Sequence, residues 1–405
     1  MNIEEQIPTK KTYGNREEIF MILKTESFKE VCSLILAATD SNEISTLTET
    51  LELVTEGRTL YLNVTNKEYY ASVKFDLDHE EEFHATVNAT LFLKLIAAVT
   101  SEAIELEMHD NYITVKANGN YKIPLIFEND KLMELPLITI ENKTVEMNVA
   151  GSILQSILNY NSKELAIGSL AKPVQKMFYV DQEGCITFTT GACVNSFSLE
   201  KPIRILLNSR LVKLFKLFKD DMVKFTLGYD PISETIIQTK VSFATSKIKL
   251  TAVTGCDDSL LNQVPVGAIR NRANKAYPHS IVLSKDALVE AVNRLLLFSA
   301  GYGSKENVKP YSLFAFSEDK VTIYDSNKEN IEVLKYANNT VVTTPYEMTI
   351  DLIDFKKVLD GCTEQFVTVN FGDGKACVIV RNAIKNVLPE VNVRTRPAVQ
   401  PAQAE

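Results

Sequence analysis

No stretch of the sequence approaches the ~18–20 consecutive apolar residues of a membrane-crossing helix, so no spanning segment is expected. The first twenty residues, MNIEEQIPTKKTYGNREEIF, carry no apolar core of a secretory signal. Histidine is scarce. His79, His84, His109 and His279 are too scattered to form a metal cluster, so no metal site is expected. The six cysteines, Cys32, Cys185, Cys193, Cys256, Cys362 and Cys377, include no C-x-x-C pair and read as small buried hydrophobes in a reducing compartment. Phosphate-binding loops, dinucleotide fingerprints, HExxH, G-x-S-x-G and EF-hand loops are all missing. The Gly301-Tyr302-Gly303-Ser304 stretch follows a helical pattern and reads as a cap and loop. The acidic run Asp76, Asp78, Glu80, Glu81 and Glu82 reads as a solvated turn rather than a cation site. With no convergent acid, base, nucleophile or cofactor motif, the sequence does not read as an enzyme.

What is present is repetition. ATVNATLFLKLIAAV, RILLNSRLVKLFKLF and MTIDLIDFKKVLDGC each run from a short extended segment into an amphipathic helix. The residues before these helices are Asn88, Asn208 and Asp351, whose short side-chain oxygens suit an N-cap. Each copy also opens on a helix, so helices are expected to begin near 28 and 88, 152 and 208, and 286 and 351. Alternating runs such as YYASVKFDLD, KMFYVDQEGCITF and YSLFAFSEDKVTIY predict antiparallel strands joined by turns. A length of 405 residues accommodates three such units. The class is therefore α+β, in three tandem copies, with a long link from about 255 to 278 before the third.

Net charge is −9, which argues against a protein that coats nucleic acid with its whole surface. Yet Arg210, Lys213, Lys216 and Lys219 recur at every third residue, opposite an apolar stripe of Leu211, Leu214, Phe215 and Phe218. Lys94, Lys356 and Lys357 fall in the other repeated helices, with Lys163, Lys285 and Arg294 in or beside the opening ones. An ordinary solvated helix face explains such a row. So does a phosphate-facing surface, if sheets form an outer shell and helices line an interior.

This order of repeats resembles the bacterial sliding clamp, the beta subunit of DNA polymerase III. The resemblance covers about Phe20 to Val391 and rests on architecture more than on any motif. Segment 103–125 is similar to a first-domain pattern of the family through Ile104, Leu106, Ile113, Val115, Asn118 and Leu125. The resemblance implies DNA-clamp domains at 18–138, 139–262 and 280–391, a linker at 263–279, and flexible extensions at 1–17 and 392–405. It also implies a head-to-tail homodimeric ring around duplex DNA, without sequence reading, cofactor or membrane, in the nucleoid-bearing cytoplasm. The ten cations above would then face DNA.

In that family a pocket takes short hydrophobic peptides from DNA polymerase and clamp loader. Its T-D-G-H-R-L pattern matches Thr189-Thr190-Gly191-Ala192-Cys193-Val194, with the His and Arg replaced. Val174 and the Val387-Leu388-Pro389 triplet match other lining positions, so Val174, Thr189, Gly191, Cys193, Val194, Val387, Leu388 and Pro389 are the expected pocket residues. The departures fit a divergent set of partners, as in a phage- or plasmid-encoded clamp. Ring-interface candidates are Tyr121 and Ile123 on one side and Leu297 and Phe298 on the other, so Ile123→Asp is expected to give monomers. The competing reading is a clamp-fold interaction protein that sequesters polymerase or loader without encircling DNA.

Overall fold

The computed structural model describes residues 20–39, 45–166, 170–219, 221–231, 233, 237–255, 258–298, 310–325, 327–337 and 340–391. Both terminal extensions, Cys256 and the 301–304 stretch lie outside them. The described residues form two compact units. One draws on the described residues within 20–152 and 213–255, the other on those within 153–212 and 258–391.

In the first unit an eight-stranded antiparallel sheet runs in the order Lys143–Ala150, Met222–Pro231, Ile237–Ala244, Ile248–Thr254, Tyr69–Asp76, Thr59–Thr65, Thr50–Glu56 and His84–Asn88. It is a fusion of two fours. The strand Ile248–Thr254 of the middle third pairs with Tyr69–Asp76 of the first, with Leu250 opposite Ala71. A four-stranded sheet, Phe20–Lys24, Ala103–Met108, Tyr112–Lys116 and Asn120–Pro124, completes the first third.

The second unit repeats the plan. Its eight-stranded sheet runs Arg204–Asn208, Met177–Asp181, Gly184–Phe188, Ala192–Ser196, Ile384–Pro389, Ala376–Arg381, Phe366–Phe371 and His279–Ser284. Here Ala192–Ser196 of the middle third pairs with Ile384–Pro389 of the last, Ala192 opposite Val387. The remaining sheet runs Ile331–Lys335, Lys320–Tyr324, Tyr311–Phe316 and Tyr346–Asp351.

Helices cover the apolar faces. Thr25–Leu36 buries Phe28, Val31, Cys32 and Ile35, and Phe28 meets Phe75 and Phe92 edge-on at 5.4 and 6.3 Å. A buried Phe of this kind stabilises by about 1.5–3 kcal/mol. In the last third, Lys285–Phe298 and Leu352–Asp360 pack on a core of Leu288, Val292, Phe314, Phe355 and Phe371. The cap residues act as the sequence suggests. Asn88 Oδ1 accepts from Leu91 N at 2.9 Å, Asn208 Oδ1 from Leu211 N at 2.7 Å, and Asp351 Oδ1 from Ile353 N at 2.9 Å. No helix among the described residues is long and apolar enough to cross a membrane.

Candidate functional site

The basic row follows from an unusual period. From Leu211 to Lys219, two buried residues alternate with one exposed residue: Leu211, Val212, Leu214, Phe215, Leu217 and Phe218 are buried, while Lys213, Lys216 and Lys219 are exposed. An α-helix places i and i+3 about 60° apart, which would fan the cations round the axis. The chain instead passes from α-helix at Ser209–Lys213 to 3₁₀-helix at Leu214–Leu217. Side chains three apart eclipse in a 3₁₀-helix, so Lys213 and Lys216 share one side. Phe215 anchors the turn edge-on to Phe243 at 4.9 Å. Arg210 sits half-buried on the preceding turn. Among the described residues no carboxylate lies within ion-pair distance of Lys213, Lys216 or Lys219.

The other cations divide into two groups. Lys94 and Lys163 are exposed and likewise without a carboxylate partner among the described residues. Those of the last third are engaged. Lys285 lies 2.5 Å from Asp286, and Lys357 is 3.1 Å from Asp354. Lys356 donates to Asn293 at 2.6 Å and sits 3.5 Å from Asp360. Arg294 donates twice to Glu332, and this hydrogen bonding holds the Glu332 carboxyl below its ordinary range. The last third therefore offers less free positive charge than its residue count suggests.

The expected pocket residues do not share one face, because adjacent strand residues point to opposite sides. Val174, Val194 and Val387 meet in a single apolar cluster with Ala192, Val378, Leu261, Val264 and Ala273. Pro389 stands opposite Ala376 on that side. Cys193 and Leu388 turn the other way, a correction to the sequence reading. Leu388 joins the core of the last third, and burial pushes the Cys193 thiol up to about 12. Thr189 closes the turn by donating its N–H to Gly191 O at 2.8 Å. Gly191 is required by space, since a Cβ there would lie 2.7 Å from Val387 O.

The roof of this cluster was missed from sequence. The link contains two short helices, Asp258–Leu261 and Val266–Ala273, which lie over the sheet. Arg270 fastens the second of them through Asp181 at 2.6 Å and Glu183 at 2.9 Å. Lys385 Nζ donates to Asn274 at 2.6 Å, and Lys275 pairs with Asp373 at 3.0 Å. The signal was Val266, Ile269 and Ala273, spaced i, i+3 and i+7. Met177, Phe188, Leu260, Val266, Ile269 and Tyr277 form a half-buried apolar rim around the cluster.

On the opposite face of the same sheet lies a polar seam. Asn161 donates to the carbonyls of Cys185 and Cys193 at 3.3 and 3.4 Å. Buried Arg381 donates to Val358 O at 3.3 Å and to Asn386 Oδ1, and stacks over Tyr160. Glu164 is held there too. Burial, and secondarily Asp354, push its carboxyl up to about 7. Among the described residues no group of three or more His, Cys, Asp or Glu side chains is placed to hold a metal.

The four ring-interface candidates also separate. Tyr121 is 39% exposed on the outer strand Asn120–Pro124. Ile123, at 2%, faces inward opposite Ile113 and is a core residue, which corrects its assignment. Leu297 and Phe298 are exposed at the end of their helix. The sequence reading overlooked Ile331 and Val333, 57% and 53% exposed on the outer strand Ile331–Lys335.

No protein-family model matches the chain, and no curated protein matches it in sequence. Solved structures do match in fold. The DNA polymerase III subunit beta of Pseudomonas aeruginosa superposes with a TM-score of 0.76 at 14% identity, over 92% of this chain and 100% of that one. The beta subunit of Thermotoga maritima gives 0.73 at 13%, over 93% and 100%. A putative beta subunit of Eubacterium rectale gives 0.74 at 9%, over 92% and 100%. The chain thus has, nearly from end to end, the fold of the DNA polymerase III beta-subunit sliding clamps.

Proposed function

We propose that this protein is a DNA sliding clamp: a homodimeric ring that encircles duplex DNA without reading bases and tethers a polymerase. The observation that carries this reading is a rule in the sheets. At both fusions inside the chain, the last strand of one four-stranded sheet pairs with the third sequential strand of another: Ile248–Thr254 with Tyr69–Asp76, and Ile384–Pro389 with Ala192–Ser196. Two four-stranded sheets remain unfused among the described residues, and each presents at one edge a strand of one of these two kinds: Asn120–Pro124 is a last strand and Ile331–Lys335 a third strand. Among the described residues nothing pairs with either outer edge. A second copy supplies both missing partners, and two head-to-tail joints close a ring.

The exposed cations Lys94, Lys163, Lys213, Lys216 and Lys219 would hold the duplex by screened, mobile phosphate contacts. A closed ring stays on DNA by topology, so tight binding is unnecessary. The apolar cluster under the link helices, with its rim of Phe188, Ile269 and Tyr277, would receive a hydrophobic peptide from polymerase or clamp loader.

The test reassembles the protein around a singly nicked plasmid and follows co-elution before and after linearisation. A clamp has a solution mass of twice the 45.3 kDa chain and leaves the plasmid only when it is cut. A monomer at every concentration, with equal retention on circular and linear DNA, would overturn the reading.

A further inference from the structure

The face of the first unit's large sheet opposite Phe225, Phe243 and Leu250 holds a small cavity of about 170 Å³, lined by Ile140, Lys143, Glu146, Lys224, Thr226, Ser242, Ala244, Lys249 and Thr251. Strand register explains it. Lys224, Ala244 and Lys249 form one row across three strands. Thr226, Ser242 and Thr251 form the next row on the same face. The small Ala244 between two long lysines leaves a notch, and the hydroxyl row supplies its polar floor. Ile140 walls one side. It can approach because Gly228 has no Cβ, which would otherwise lie 2.2 Å from Ile140 Cγ2.

The floor and walls point to an oxyanion. Thr226 is only 7% exposed, yet its hydroxyl has no hydrogen-bond partner among the described residues. Thr251 donates to Ser242 Oγ at 3.3 Å, leaving the Ser242 proton for a ligand. Lys143 and Lys224 reach Glu146 at 3.4 and 3.1 Å, so they already hold a carboxylate. Lys249 has no carboxylate partner among the described residues. Three ammoniums against one carboxylate leave an excess that a dianion matches and a DNA phosphodiester does not. The cavity takes a phosphate group, while whatever carries it must lie outside.

We infer that this notch binds the dianionic phosphate of a phosphate monoester. The inference is independent of the clamp reading. The test titrates the full chain with inorganic phosphate at constant ionic strength, followed by calorimetry. One saturable site is expected, weakened roughly tenfold or more in Lys249→Gln. Ala244→Leu, which fills the notch and leaves every charge in place, abolishes it. Heat that never saturates, or equal affinity in wild type and Lys249→Gln, would overturn the site, whether or not Ala244→Leu folds. A 5′-mononucleotide and a phosphoserine peptide then compete for the carrier. The tighter of the two identifies it, and both binding more weakly than free phosphate would overturn the monoester assignment.

Discussion

The guanidinium of Arg294 grips both carboxylate oxygens of Glu332, with Nε at 2.6 Å from one and Nη2 at 2.9 Å from the other. A cation so engaged has little left for a phosphate. Lys213, Lys216 and Lys219 have no such partner among the described residues. Replacing those three lysines by Ala is therefore expected to lower the slope of log affinity against log salt by about 2.7, at roughly 0.9 per phosphate contact. Arg294→Gln should change affinity less than about twofold, and Glu332→Gln should raise it. Fluorescence anisotropy on duplex DNA across a salt series decides this. An unchanged slope in the triple variant would remove the lysine row from the DNA surface.

Glu164 gives the protein a pH-dependent stability with a definite sign. Its folded pKa is raised from 4.5 to about 7 by burial. The fold thus favours the protonated acid. That stability is complete below the unfolded pKa and is lost as pH rises through the folded one, between about 4.5 and 7. The loss amounts to about 3 kcal/mol. Glu164→Gln keeps the neutral shape without the titration. In urea melts from pH 4.5 to 8, the difference between wild type and variant should swing in favour of the variant as pH rises. A constant difference would show that Glu164 does not ionise in this range.

Much of this architecture is legible in the sequence, since it rests on local signals. Asn88, Asn208 and Asp351 announce their helices because a short side-chain oxygen before an apolar period accepts an otherwise unpaired N–H of the first turn. The illegible parts depend on partners distant in sequence. Cys193 looked like pocket lining because it sits in a matched string, yet strand parity sends it to the other face. Ile123 lies on an outer strand, but only its register with Ile113 shows that its side chain faces inward. The row after Asn208 was noticed for its charge. Its period of three also marked a 3₁₀ turn, because a helix of 3.6 residues cannot bury two of every three positions so regularly.

Gly191 sits where two thirds of the chain share a sheet. Its would-be Cβ meets a backbone oxygen, Val387 O, which cannot swing aside as a flexible side chain could. Gly191→Ala is expected to push the strands apart and cost about 1–3 kcal/mol. Urea denaturation measures this directly. The same displacement moves Val387 within the apolar cluster, so if that cluster receives a peptide, its affinity should fall along with stability. A variant as stable as wild type would mean the turn at Thr189 relaxes without disturbing the joint.

The two outer strands separate folding from assembly. Ile123 is buried, so Ile123→Asp places a charge in the first unit's core and should unfold it, at a cost of several kcal/mol. Loss of dimer in that variant would say nothing about the joint. Ile331 and Val333 are exposed on Ile331–Lys335, on the side opposite the half-buried Glu332 and Leu334, so a polar side chain there stays solvated in the isolated chain. Ile331→Lys with Val333→Lys should therefore leave the melting temperature of the monomer nearly unchanged. If the strand pairs with Asn120–Pro124 of a second copy, four ammoniums per ring enter the two joints and the mass falls to that of one chain. Light scattering over a dilution series gives that mass. A double variant that remains dimeric would place the joint elsewhere, with the exposed Leu297 and Phe298 the next surface to charge.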